Sequence, residues 1–177
     1  MNKTQLLSQL RRDIVEELCV KQWLDVWFFP ERDGVKGWCG AAPIIFVGLN
    51  PSMGTFPSKA DLMFYKSLLQ NGLSDAHISD LYKIRLNGKS VSKSFARPEL
   101  QQLHRTWLMK EVRHLDPYFI VALGHKTYGI LKEWLPKDFH SRIVKIHHYS
   151  WAHRYGKNEV FAQDVAKIRD LYLESTR

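Results

Sequence analysis

The 177-residue chain has few of the residues on which several classes of protein depend. Its two cysteines, Cys19 and Cys39, are too few for a disulfide framework or a four-thiolate metal site, which favours a reducing compartment such as the cytoplasm. No run of about 18 apolar residues is present, so the sequence predicts no membrane-spanning helix. Charged residues at 11–13 interrupt the stretch that a signal peptide keeps apolar, so export is not expected.

Acidic residues are also scarce relative to basic ones. The chain has 26 lysines and arginines against 18 aspartates and glutamates, which gives a formal net charge of +8. This charge suits an anionic partner, of which nucleic acid is the commonest, although many other soluble proteins share it. The apolar content of 45% is too high for a disordered chain. We therefore expect one globular domain over 1–177, monomeric and without a membrane partner.

Short apolar runs alternate with longer amphipathic segments along the chain. The predicted strands are 44–47, a segment that starts at 77 and ends between 82 and 84, 118–123 and 142–147; the predicted helices are 4–18, 59–71, 98–115, 126–134 and 158–175. This alternation predicts a three-layer α/β/α sandwich around a central, mainly parallel, four-stranded sheet. Residues 1–42 would form a helical and aromatic cover, 43–155 the core with the motifs, and 156–177 a C-terminal helix.

Ligands of parallel sheets bind beyond the carboxyl ends of the strands, which directs attention to the segments that follow each predicted strand. In GLNPSMGTFP at 48–57, Asn50 follows the first strand directly and Pro51 keeps it out of helical geometry. An amide held there can orient a water molecule or bind a polar ligand, whereas the alternative is an asparagine that caps a turn. The segment is not a phosphate-binding P-loop, because no Gly-Lys-Ser/Thr follows.

Histidines cluster after the fourth predicted strand, in HHYSWAHRYG at 147–156. Their spacing matches no zinc motif and no cysteine or acidic residue joins them, so no metal is expected. The segment is either an exposed basic loop or a site at which a histidine donates to an oxyanion while Ser150 and Arg154 contact phosphate. The segment KIRLNGKSVSKSFAR at 83–97 holds five basic and no acidic residues, which suits a phosphate backbone or, equally, a solvated loop.

Taken in order, these segments resemble the motifs of the uracil-DNA glycosylase superfamily over roughly 43–155. GLNPSMGTFP resembles the Gly-Ile-Asn-Pro-Gly motif of the mismatch-specific uracil/thymine branch, and DLMFYKSLLQNGL at 61–73 resembles the Asn-Arg-Phe-Trp-Lys helix after it. HISDLYKIR at 77–85 is similar to the Ile-Thr-Asn-Val-Val-Lys strand of the thermostable branch. Residues 97–131 resemble the helix–Pro–strand–Gly segment of both branches, and HYSWAHR at 148–154 resembles the closing His-Pro-Ser-Tyr-Leu-Leu-Arg motif.

The resemblance implies a uracil-DNA glycosylase-like fold and a monofunctional DNA glycosylase of base-excision repair, which hydrolyses the N-glycosidic bond of a flipped, deaminated or altered base. Asn50 would orient the attacking water and His148 would donate to the charge that develops on the leaving base. The base would be contacted by Gly48, Leu49, Asp80 and the stacking residue Phe56, with Phe64 as the second choice for stacking. DNA would be bound by Ser52, Lys83, Arg85, Lys89, Lys93, Ser150 and Arg154, with Arg97 beside them. No cofactor is implied.

Three positions depart from the family pattern. Ser52 replaces glycine in the first motif, Tyr149 replaces proline in the last, and Asp80 replaces the asparagine that recognises uracil. An ionised Asp80 would only accept and would favour an exocyclic amine, whereas a buried, protonated Asp80 could donate as an amide does. The alternative is that Asp80 is an ordinary carboxylate paired with Lys83 or Arg85. The two cysteines also exclude the four-cysteine iron–sulfur cluster of the thermostable branch. These departures favour, as the alternative, a catalytically inactive nucleic-acid- or nucleobase-binding protein on the same scaffold. A third class is a hydrolase of free nucleosides or modified nucleotides, although the basic segment 83–97 favours a polymer substrate over a free nucleoside.

Overall fold

A four-stranded, all-parallel sheet forms the centre of the computed structural model, which describes residues 2–21, 25–85 and 96–176. The strands are β1 (Ala42–Gly48), β2 (Ala76–Asp80), β3 (Phe119–Leu123) and β4 (Ile143–Ile146), in the spatial order β2-β1-β3-β4. In the register of the sheet, Val47 of β1 pairs with Ser79 of β2 and with Ala122 of β3. The predicted parallel sheet is therefore confirmed.

Helices cover both faces of this sheet. The described residues form α1 (Lys3–Val20), α2 (Lys59–Gln70), α3 (Pro98–Leu115), α4 (His125–Trp134), α5 (Tyr149–Arg154) and α6 (Asn158–Ser175), with 3-10 turns at Gly37–Cys39 and Lys137–Arg142. Helices α1, α3 and α4 pack against one face, and α2, α5 and α6 pack against the other. The three-layer α/β/α architecture is confirmed. None of the described helices combines the length and the apolar character needed to cross a bilayer.

The central strand shows why the sequence folds in this way. Ile44 and Phe46 contribute to the core on the α2 side, while Ile45 and Val47 contribute to the core on the α1 side. All four side chains are fully buried, because a parallel sheet with helices on both faces leaves neither face to water. Each such burial contributes about 1.5–3 kcal/mol.

Two segments differ from the sequence-based prediction. Strand β2 ends at Asp80 rather than between 82 and 84, because the chain then turns and Ile84 pairs instead with Val26 in an isolated antiparallel bridge. The sequence predicts no helix at 147–154 and leaves open an exposed loop or a binding site, but most of the segment forms the short helix α5. That helix forms because the His148 ring accepts a hydrogen bond from the Ser150 backbone N–H and so caps its first turn.

Candidate active site

A cleft of about 480 Å³ opens at the carboxyl edge of the sheet, where the four parallel strands end side by side. It brings together Asn50, which follows β1, and His148, which follows β4, as the sequence predicts for residues beyond strand ends. A larger cavity of about 660 Å³ lies between α1 and α3, but no strand-end residue lines it. The cleft at the strand ends is therefore the better candidate for a site of chemistry.

Asn50 is half-buried and its backbone is held from the neighbouring strand. The N–H groups of Leu81 and Tyr82 donate to the carbonyls of Gly48 and Leu49, at 2.9 and 3.1 Å, and so extend the contact between β1 and β2 past the end of β2. The Asn50 amide nitrogen donates to the Pro51 carbonyl at 3.0 Å. These contacts hold the backbone before Asn50 in place, and the bond to Pro51 orients the amide at the edge of the cleft.

His148 is presented to the cleft as a neutral donor. Its Nδ1 accepts from the Ser150 N–H at 3.1 Å and lies 2.8 Å from the Ser150 hydroxyl oxygen, so the ring proton belongs on Nε2. Burial lowers the pKa of His148 to about 4, and Asp61 opposes this shift only in part. An uncharged imidazole with an Nε2–H can donate to an oxyanion without first losing or gaining a proton.

Asp61 is a residue of the cleft that the sequence reasoning missed. It forms a capping box at the start of α2, where its carboxylate accepts from the Ser58 N–H at 2.8 Å and from the Ser58 hydroxyl at 2.7 Å. The Tyr149 phenol is hydrogen-bonded to the same carboxylate, and burial, more than Asp61, raises the pKa of Tyr149 well above its ordinary value. Ser58 three residues before Asp61 is a capping-box signal that could have found this residue.

Asp80 is the last residue of β2 and lies beside Gly48 of β1 in the register of the sheet. A Cβ at position 48 would lie 2.2 Å from Asp80 Oδ1, so only glycine leaves room for this carboxyl group. Asp80 is 5% exposed and lines the cleft. Burial raises its pKa to about 7, while Lys83 opposes the shift and the nearby Glu111 and Asp61 add to it.

Lys83 does not line the cleft, which corrects the prediction that it contacts phosphate. Its side chain is 1% exposed, and its ammonium lies 2.7 Å from Glu111 Oε1 of α3. It also donates to the Ser79 hydroxyl, at 2.9 Å, and to the backbone carbonyl of Asp80. A buried ammonium requires such partners, because desolvation without them is costly. Lys83 therefore has a structural role below the cleft.

The two phenylalanines proposed for base stacking lie in different places. Phe64 is fully buried and stacks on Tyr149 with ring centroids 4.8 Å apart, so it offers no face to a base and that prediction is corrected. It is buried because it belongs to the apolar side of α2. Phe56 is half-buried, and its ring centroid lies 5.3 Å from that of Trp27. It lines a small pocket of about 20 Å³ that is also lined by Asn50. Arg85 lines the same small pocket.

Only some of the residues predicted to bind DNA line the cleft. Arg154 and Ser150 line it and are exposed, as is Ser52 on its other side. Arg85 holds its guanidinium 4.0 Å from the centroid of the Trp27 ring. Lys89 and Lys93 lie outside the described residues.

Arg97 lines the separate cavity between α1 and α3, so the prediction that it borders the site is corrected. It lies there because it precedes the first turn of α3. The sequence reasoning, in turn, did not assign His125, Lys126 and Thr127, which line the cleft at the start of α4. The unpaired N–H groups at the start of a helix favour an anion. The signal available in the sequence was Gly124, which stands between the predicted strand 118–123 and the predicted helix 126–134.

Comparison with models of known protein families and with curated protein sequences finds no match to this chain. The function therefore has to be inferred from the residues of the cleft and their geometry.

Proposed function

We propose that the protein is a DNA glycosylase that hydrolyses the N-glycosidic bond of a deaminated or otherwise altered base. The observation that carries the proposal is the meeting of Asn50 and His148 in one cleft at the carboxyl edge of the sheet. One side chain is an oriented amide and the other is a neutral imidazole with its proton on Nε2. The resemblance of the segments around them to glycosylase motifs gives the same assignment.

The chemistry requires two kinds of help from the protein. As the bond between the base and C1′ breaks, its electron pair goes to the base and positive charge develops on the sugar. Asn50 orients the water that adds to C1′, and His148 donates from Nε2 to the anionic base. One well-placed donor of this kind contributes roughly 3–4 kcal/mol to the stability of a transition state.

The rim of the cleft suits the phosphates on either side of such a base. Arg154 supplies an exposed positive charge, Ser150 a hydroxyl, and the start of α4 a set of backbone donors beside Lys126. Phosphate contacts supply most of the affinity of such a protein for DNA and make it depend on salt. The net charge of +8 has the sign that this partner requires.

A second candidate is a nucleic-acid- or nucleobase-binding protein without catalytic activity. The departures from the family pattern at Ser52, Asp80 and Tyr149 favour it. On this alternative the cleft would bind a base without cutting the bond to its sugar.

The deciding experiment measures excision from labelled oligonucleotides that carry uracil, hypoxanthine, xanthine or mismatched thymine. We expect Asn50→Ala and His148→Asn to lower excision of the preferred base by about 100-fold or more, because each removes transition-state stabilisation. Asparagine keeps an oxygen that can cap α5, so His148→Asn tests the Nε2–H donor rather than the helix. Affinity for intact DNA should change far less.

His147→Ala is the matched control, since this neighbouring histidine is exposed and its Nδ1 contacts Asp164 at 2.7 Å. Its excision rate should stay near that of the parent. Binding of all four oligonucleotides without excision would select the second candidate. Absence of binding even at low salt would refute nucleic acid as the partner.

A further inference from the structure

Asp80 is a buried carboxyl group for which the proposed mechanism has no use. It lines the cleft beside Asn50, and only 5% of the residue is exposed. Among the residues that the structure describes, none donates a hydrogen bond to its Oδ2. A buried carboxylate normally has a cation or several donors, because an isolated buried charge is strongly disfavoured.

The nearest cation does not serve as that partner. The Lys83 ammonium forms its ion pair with Glu111 and directs its other hydrogen bonds to Ser79 Oγ and to the backbone carbonyl of Asp80. It therefore stabilises the peptide group of Asp80 while its charge is balanced by Glu111. The Asp80 carboxyl group is left without an ion pair in the described structure.

The other groups around Asp80 do not favour its ionised form. Helix α2 contributes the carboxylate of Asp61, and α3 contributes that of Glu111. Helix α5 contributes the neutral rings of His148 and Tyr149 and the exposed guanidinium of Arg154, all of which line the same cleft.

Across the cleft, α4 contributes His125, Lys126 and Thr127; the first two are solvent-exposed. Exposed charges are screened and contribute little to a buried group. Burial together with two nearby carboxylates accounts for a carboxyl group whose pKa is raised to about 7.

We propose that Asp80 recognises the bound base in its uncharged carboxylic acid form, by donating a hydrogen bond to a carbonyl oxygen of that base. The inference rests on the proposed function, because it places a base in the cleft. This hydrogen bond would favour substrates whose base has a ring carbonyl at the contacted position. Recognition of the base would then require that Asp80 carries its proton. Ionised Asp80 would repel the same oxygen, since a carboxylate only accepts.

The test compares single-turnover excision by the parent and by Asp80→Asn between pH 5.5 and 9, on whichever of the four probe bases the parent cuts best. An asparagine amide donates at every pH, so the ratio of parent to variant isolates the titration of Asp80. We expect this ratio to be constant below about pH 7 and to fall about tenfold per pH unit above it. Asp164→Asn, which makes the same chemical change outside the cleft, should give a constant ratio.

Other outcomes overturn the proposal. A ratio that is constant over the whole range would show that Asp80 does not contact the base, and a ratio that rises with pH would show that it acts as an ionised acceptor. Asp80→Ser, which keeps a donor that does not titrate, replaces the asparagine variant if the latter fails to fold, and the same ratio decides.

Failure of the proposed function is a separate result. Absence of excision by the parent at every pH would refute the glycosylase but would not exclude the binding of a base. The acid itself is then examined without DNA, by ¹³C NMR of labelled aspartate carboxyls in the parent and in Asp80→Asn. A signal that is lost in the variant and titrates near pH 7 supports the uncharged acid, and one that is ionised throughout overturns it.

Discussion

Replacement of Asp80 by asparagine should change how the stability of the protein depends on pH. The pKa of Asp80 is raised from 3.8 to about 7 in the folded chain. Between these values the folded state binds more protons than the unfolded state, so the free energy of unfolding falls as the pH rises. The loss is complete above the folded pKa. An asparagine side chain has nearly the same volume as aspartate and does not titrate. The free energy of unfolding of Asp80→Asn therefore lacks this pH-dependent contribution.

The size of the effect follows from the shift. A difference of about 3 pKa units at about 1.4 kcal/mol per unit gives a full loss of about 4 kcal/mol. Part of this loss occurs below pH 5, where the unfolded chain already begins to ionise. Between pH 5 and pH 8 the parent should therefore lose about 2–3 kcal/mol relative to Asp80→Asn.

Urea unfolding of both proteins at pH 5, 6, 7 and 8 measures this difference. Groups that titrate alike in the two proteins cancel, so only the contribution of Asp80 remains. A difference that stays constant to within about 0.5 kcal/mol, which is the scale of an ordinary surface substitution, would refute the reasoning. A parent that gains stability relative to the variant as the pH rises would show that Asp80 is paired with a cation in the folded state.

Three further predictions concern residues around the site. Gly48→Ala should destabilise the protein by about 1–3 kcal/mol in urea unfolding, because the added Cβ would lie 2.2 Å from Asp80 Oδ1; an unchanged midpoint would show that the carboxyl group moves freely. Lys83→Met should cost about 3–5 kcal/mol, because it leaves the buried Glu111 carboxylate without its ammonium partner and with only the His77 Nε2 contact at 3.3 Å, and Lys83→Met combined with Glu111→Gln should recover much of the loss in the same assay. Arg154→Ala should weaken DNA binding and reduce the slope of log affinity against log salt by about 0.7–0.9, and an unchanged slope would remove Arg154 from the phosphate contacts.

The sheet and most of its helices could be predicted from hydrophobic periodicity alone. Helices α3 and α6 occupy the predicted segments 98–115 and 158–175, because amphipathic spacing and the proline at the start of α3 are local signals. The rule that parallel strands end at one edge was also enough to bring Asn50 and His148 together. These results depend on local signals, namely the periodicity within each segment and the position of each residue relative to the end of its own strand.

The burial of Lys83 could not be predicted in this way. In the sequence, Lys83 and Arg85 look alike, as basic residues after a strand in a segment without acidic neighbours. They differ in the structure because Glu111 of α3 lies beneath Lys83, while Arg85 meets the ring of Trp27. Both partners are distant along the chain, so no local pattern distinguishes the two basic residues.

The backbone contacts beyond β2 determine how variants at Asp80 have to be interpreted. Leu81 and Tyr82, the residues directly after Asp80, donate to the carbonyls of Gly48 and Leu49, the residues directly before Asn50. A change of side chain that moves the end of β2 would therefore also move the Asn50 amide and slow excision without any contact between Asp80 and the base. Such a displacement would lower the rate by the same factor at every pH, whereas loss of a proton from a donor lowers it only above the pKa. The pH dependence of the rate ratio, rather than the rate of the variant at one pH, is thus the measurement that separates recognition of the base from support of Asn50.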